Sequence, residues 1–127
     1  MLVKLYSAAL QGVDATEVEV EVNHTEKDQF RMSIVGLPDA AVRESSQRVL
    51  SAIQNSALKF GAGINTVNLA PADLKKEGPS FDLPIAIASA AVGMQEDIPS
   101  SEQYCLVGEL ALDGSLRPVK GVISIAL

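Results

Sequence analysis

The chain has 127 residues, a formal charge of −6 and 47% hydrophobic residues. That length suits one domain that buries roughly two-thirds of its unfolded surface, so folding requires neither disulfides nor a structural metal. The acidic balance disfavours phosphate-backbone binding by the surface as a whole, and the longest apolar run, residues 83–94, is too short to span a bilayer.

Residues 3–10 read as a strand, and residues 17–22 alternate valine with glutamate at the period of a half-exposed strand. Residues 25–29 form a polar turn. Phe30, Met32 and Ile34 alternate with polar neighbours and predict a strand over 30–35. Gly36, Leu37 and Pro38 end it, and Asp39 is a good helix N-cap. Residues 40–55 predict one helix, with Val42, Val49, Leu50 and Ile53 on one face and Glu44 paired with Arg48 at i,i+4. Gly61 and Gly63 mark a loop, residues 64–69 a strand, and residues 71–80 a polar loop. Residues 81–94 predict a helix apolar nearly all round, hence buried against a sheet. Pro84 falls in its first turn, where a missing N–H costs little.

Strands at 104–112 and 116–119 flank Asp113 and Gly114, a hairpin signal in which both residues take positive φ. A third helix is expected from Gly121, and its apolar, uncapped run to Leu127 predicts that the chain is one piece of a longer protein. These elements predict a single α/β (α+β) domain over 1–127. Its mixed sheet of roughly five to seven strands is covered by helices 40–55 and 81–94. No signal peptide opens the sequence. The single cysteine, Cys105, has no internal partner, which predicts a reducing, cytoplasmic location.

The densest polar cluster is residues 73–82. Ser80 at a helix start suggests a nucleophile whose oxyanion the helix amides would stabilise. The alternative is that Ser80 or Asp82 caps the helix. Asp73, Glu77 and Asp82 offer three carboxylates for a metal, with two lysines among them arguing against it. His24 reads as a solvated loop residue, Cys105 as a buried thiol in an apolar strand, and Glu17, Glu19 and Glu21 as the wet face of a strand. Gly61 and Gly63 serve a turn. No G-x-x-x-x-G-K-[ST] loop occurs, so no nucleotide site is expected within the chain. The basic candidates for local contact with nucleic acid are Lys75, Lys76, Arg117 and Lys120, and Arg43 with Arg48.

Three stretches carry a family resemblance: IVGLPDAAVRES at 34–45, VNLAPADLKKEGPSFDLPIA at 67–86 and GELALDGSLRPVKG at 108–121. Together, and in this order, they closely resemble the N-terminal domain of the Mg-chelatase-like AAA+ ATPases of the ComM/YifB family. The resemblance covers essentially the whole chain. It implies a fold like the Lon protease domain and the C-terminal domain of RadA. An AAA+ module would follow, holding ATP and Mg. The resemblance further implies a cytoplasmic hexamer, without membrane contact, acting on DNA in branch migration, natural transformation or recombination.

The Lon likeness also bears on single residues. Lon's nucleophilic serine stands in a Gly-Pro-Ser-Ala-Gly motif. Gly78, Pro79 and Ser80 match its first half, whereas Phe81 and Asp82 replace the rest. Lon's catalytic lysine lies beyond the hairpin matched by residues 108–118, at a position occupied here by Ile123; Lys120 comes three residues too early. A Ser–Lys pair needs the amine to take the serine proton. The resemblance therefore implies a protease scaffold without its chemistry: no catalytic residue, cofactor or metal in this chain. The implied role is an accessory module of a hexameric DNA motor that offers Lys75, Lys76, Arg117 and Lys120 to DNA, with a salt slope of about two to four phosphates. An oligomerisation or partner-binding platform without DNA contact, and a hydrolase using Ser80, stay open beside it.

Overall fold

The period-two stretches at the N-terminus form one long antiparallel ribbon, β1 (Leu2–Gln11) with β2 (Asp14–Glu26), paired from Leu2↔Asn23 to Gln11↔Asp14. The computed structural model describes residues 1–11, 13–56, 58 and 63–119. β2 outruns its predicted end at Val22 because β4 (Gly63–Ala70) pairs antiparallel along it, as far as Glu26↔Gly63. The turn expected at 25–29 therefore starts later, and Gly63, expected in a loop, opens a strand. β3 (Arg31–Val35) lies parallel to β4, from Arg31↔Ile64 to Val35↔Asn68. A parallel pair needs a long crossover, and the helical residues between the two strands supply it. The sheet order is β1-β2-β4-β3, a mixed four-stranded sheet.

One face of this sheet carries the core. Val3, Leu5, Val18, Val20, Val22, Val67 and Leu69 point into it, and Met32 and Ile34 pack at its margin. Against them lie Val49 and Ile53 of α2 (Ser45–Asn55) and Ile85, Ala88 and Val92 of α3 (Asp82–Gly93). Each large apolar side chain taken from water contributes about 1.5–3 kcal/mol. The α3 helix, apolar nearly all round, is buried as its composition predicts, with Pro84 in its first turn.

The predicted helix 40–55 is two helices, α1 (Ala40–Arg43) and α2. The joint has local causes. The Ser46 hydroxyl donates to the Arg43 carbonyl at 3.2 Å, and the Gln47 N–H closes a tighter i→i−3 bond on Glu44 at 3.1 Å. Serine side chains compete with the helix ladder in this way. Asp39 caps α1 as expected, accepting from the Val42 N–H at 2.8 Å.

The C-terminal strands are much shorter than predicted: β5 (Glu109–Leu110) and β6 (Leu116–Arg117). Preceding backbone groups are spent elsewhere. The Leu106 N–H donates to the Tyr6 carbonyl at 2.8 Å and the Gly108 N–H to the Ser80 carbonyl at 2.9 Å. The hairpin turn also differs from the two-residue type. The Gly114 N–H reaches Ala111 at 3.0 Å, and the Ala111 N–H reaches Ser115 at 2.9 Å. Leu112 and Asp113 are then the central residues, and only Gly114 (φ +92°) takes the left-handed conformation. The third helix expected from Gly121, and Gly61, lie outside the described residues.

Candidate functional site

The loop of residues 71–80 delivers Ser80 to the start of α3, half-buried beside a cleft of about 360 Å³. Glu77, Pro79, Ser80, Glu109 and Pro118 line this cleft. A serine nucleophile here needs a base for its proton and free amides for the developing oxyanion. Among the described residues, the Ser80 hydroxyl has no hydrogen-bond partner, and neither lysine nor arginine lines the cleft. The first amides of α3 are already used. The Asp82 N–H donates to the Pro79 carbonyl at 3.1 Å, the Leu83 N–H donates to the Gly108 carbonyl at 3.0 Å, and Pro84 has none. Backbone bonds in both directions thus lace residues 80–83 to Gly108. Ile123 and Lys120, which the Lon comparison turns on, lie outside the described residues.

Two residues further on, Asp82 makes the densest polar contact among the described residues. It is completely buried. Its Oδ1 accepts from the Ser45 hydroxyl at 2.5 Å and from Arg48 Nη2 at 3.0 Å. Its Oδ2 accepts from Arg48 Nε at 2.7 Å and from the Leu110 N–H at 3.0 Å. The carboxylate meets the guanidinium side-on through two nitrogens, the strong geometry for this pair. Asp82's hydrogen bond is the main cause that raises the Arg48 pKa, with burial acting against it. One carboxylate therefore ties α2, the start of α3 and β5 together. The expected Glu44–Arg48 pair exists at 3.6 Å but is peripheral. Sequence reasoning treated Asp82 as a cap or a metal ligand. Its actual partners stand 28 to 37 positions away, and no local signal points to them.

The basic candidates separate. Lys75 is exposed and sits 3.6 Å from Glu77. Lys76 has no exposed surface: its Nζ donates to the Pro71 carbonyl, and its backbone bridges to the 37–39 turn through Leu37 O and the Asp39 N–H, each at 3.0 Å. Burial lowers the Lys76 pKa, with Asp73 opposing. An ammonium so placed cannot meet a phosphate, which corrects the expectation for Lys76. Arg117 is exposed on β6, and Arg43 is exposed with Nη1 donating to the Pro38 carbonyl at 3.0 Å. Arg48 is committed to Asp82.

The remaining candidates also move. Asp82's commitment removes it from any set with Asp73 and Glu77, and no group of three potential ligands gathers among the described residues. His24 is not in a loop: it faces Asn65 across β2 and β4, half-buried, with Nδ1 2.6 Å from Asn65 Oδ1. Cys105 is exposed rather than buried, because residues 104–108 are not a sheet strand. Partial burial and Glu17 raise its pKa. Glu19 and Glu21 are half-covered on the outer sheet face, where Lys4 lies 3.8 Å from Glu19 and Asn68 donates to Glu21 at 3.0 Å. No helix among the described residues is long and apolar enough to cross a membrane.

Residues 18–127 match the family described as subunit ChlI of Mg-chelatase. The chain is 48% identical over 122 residues to YifB of Escherichia coli, covering 96% of this chain and 24% of that protein. It is 49% identical over 119 residues to the competence protein ComM of Haemophilus influenzae, covering 94% and 23%. It is also similar, at 27% identity over 118 residues, to Lon protease 2 of Thermus thermophilus, covering 87% of this chain and 14% of that protein. The chain spans about a quarter of the length of YifB and ComM. With the Lon-like α+β fold already in place, these matches establish that the chain belongs to the Mg-chelatase-like AAA+ family of ChlI, YifB and ComM.

Proposed function

We propose that this chain is a non-catalytic accessory domain of a longer Mg-chelatase-like ATPase, supporting assembly of a hexamer and its engagement of DNA in transformation or recombination. The observation that carries the non-catalytic part is the start of α3. There the Asp82 and Leu83 amides are bonded to Pro79 and Gly108, and among the described residues no amine lines the cleft at Ser80. The part concerning the longer protein rests on the near-half identity to YifB and to a protein named for competence, each about four times the matched length. The sequence of this chain has no G-x-x-x-x-G-K-[ST] loop to hold ATP and Mg. They belong to the remainder of such a protein.

Of the proposed DNA surface, Lys75 and Arg117 are exposed and Lys76 is not. Substituting both with alanine in the full-length protein is expected to weaken DNA binding and to lower the salt slope by about two. An unchanged slope removes DNA from the role. A platform that contacts protein alone is favoured by one observation, the carboxylates of Glu77 and Glu109 in the same cleft, which oppose a phosphate. Sedimentation of the full-length protein with and without residues 1–127 tests assembly. Hexamers that form equally well without them defeat the assembly role.

A further inference from the structure

The α3 helix is apolar nearly all round, yet the sheet takes only one side of it. Ile85, Ala88 and Val92 face the sheet. Leu83, Ile87, Ala90 and Met94 stand at i, i+4, i+7 and i+11 and so share the opposite face. A helix apolar on both faces is one that is covered on both. Beside the second face run the end of α2 and the β5–β6 hairpin, and the three elements bound an apolar groove of about 150 Å³. Ala52, Ala86 and Ala90 are buried at its base, whereas Leu83 and Ile87 are half-buried and Leu58 is 42% exposed. No charged side chain lines it among the described residues. The hairpin cannot close in on the gap, because its tip is already pinned to α2. Asn55 Nδ2 donates to the Leu112 carbonyl at 2.8 Å, and a side chain at Gly114 would lie 2.5 Å from Ser56 Oγ.

We propose that this groove is the seat of the chain's own residues 121–127, laid as a helix along the outer face of α3. These residues lie outside the described ones, and their composition, place of entry and length single them out. Val122, Ile123, Ile125, Ala126 and Leu127 are apolar and only Ser124 is polar, so a helix over them carries apolar anchors at i, i+3 and i+4. Pro118 and Val119, which lead into the segment, line the cleft at Ser80, and Leu83 begins the stripe less than one turn further along α3. The segment therefore enters at one end of the groove. Seven helical residues rise about 10 Å, the same distance that separates Leu83 from Ala90 along α3. The groove is smaller than a small-molecule pocket and suits anchoring side chains. A segment tethered two residues beyond β6 is also present at an effective concentration of about millimolar, which a separate protein does not reach. The seat follows from the fold alone and does not depend on a role in DNA binding or assembly.

Thiol labelling in the longer protein proposed above tests the seat. In a Cys105→Ser background, Ile87→Cys places a thiol in the groove, and Leu112→Cys places a control thiol at a position 58% exposed and outside it. Alkylation of each by N-ethylmaleimide is followed by mass spectrometry of its peptide. The Ile87→Cys thiol should react at least about tenfold more slowly than the control, because labelling waits for the segment to lift. Changing Val122, Ile123, Ile125 and Leu127 together to serine should raise its rate by about tenfold and leave the control as it was. If that variant does not fold, the pairs Val122→Ser/Ile125→Ser and Ile123→Ser/Leu127→Ser are tested separately, and the pair that faces the groove should raise the rate by about threefold or more. Rates at Ile87→Cys that match the control from the start overturn the proposal. So does slow labelling that persists in every segment variant, since another part of the protein would then cover the groove. Protection that grows with protein concentration also overturns it and assigns the groove to a second copy.

Discussion

Ser80 and Asp82 stand two residues apart at one helix start, and the chain treats them in opposite ways. Ser80 faces a cleft, its hydroxyl without a partner among the described residues. Asp82 faces inward, completely buried, and accepts four hydrogen bonds from three residues on two other segments, α2 and β5. In a serine hydrolase the strong polar contacts converge on the nucleophile. Here they converge on its neighbour, and their effect is to fix the joint between α2, α3 and β5. The contrast teaches that a Lon-like loop can keep its shape because of what lies under it.

The largest test of that contrast is Asp82→Asn. The substitution keeps the shape but removes the charge, leaving the partly buried Arg48 against an amide and at least one donor of the set unmet. Breaking one side of a buried, hydrogen-bonded ion pair costs about 3–5 kcal/mol. Urea denaturation should show that loss as a lower midpoint with unchanged slope. A loss below about 1 kcal/mol, the worth of an ordinary exposed pair, means that the network does not hold the joint.

Lys76 sharpens the comparison from the loop side. Its ammonium is buried with a backbone carbonyl, so Lys76→Met is expected to range from neutral to about 2 kcal/mol stabilising at neutral pH. The pH dependence gives a cleaner reading. Burial lowers the folded-state pKa below the ordinary lysine value of 10.5, so between the two values the unfolded chain binds more protons than the folded one. Stability from this group therefore rises with pH across that window and is flat on either side. Lys76→Met should abolish the rise, whereas Lys75→Met, at an exposed position, should leave it. Identical pH profiles for the wild type and Lys76→Met would place the ammonium in water.

How far the sequence reveals these features depends on range. The ribbon of β1 and β2, the all-round apolar α3 and the Asp39 cap follow from patterns within a few residues, and all appear. The family motifs mark the Ser80 loop and the hairpin. Nothing local distinguishes Lys75 from Lys76, yet adjacent residues of an extended loop point to opposite sides, and the bridge to Pro38 decides which one is buried. Asp82 and Arg48 are 34 positions apart, and local spacing offers only the nearer Glu44, which pairs with Arg48 as well but at 3.6 Å. Cys105 lies in an apolar stretch that reads as a strand, but its backbone bonds go to other segments.

The smallest expected effect is at Ser80 itself. If the loop is held by Asp82 and by the Ser80–Gly108 backbone bonds, the side-chain hydroxyl contributes little, and Ser80→Ala should change stability by no more than about 0.5 kcal/mol. In the longer ATPase proposed above, the same substitution should leave ATP hydrolysis and any DNA binding at wild-type level, and a fluorophosphonate probe should label the wild-type serine no more than it labels the variant. A wild-type adduct at Ser80 that vanishes in Ser80→Ala would reverse the contrast. It would require a base for the serine proton from residues 120–127 or from the rest of the longer protein proposed above, and the cleft at the start of α3 would then be an active site completed by its neighbours.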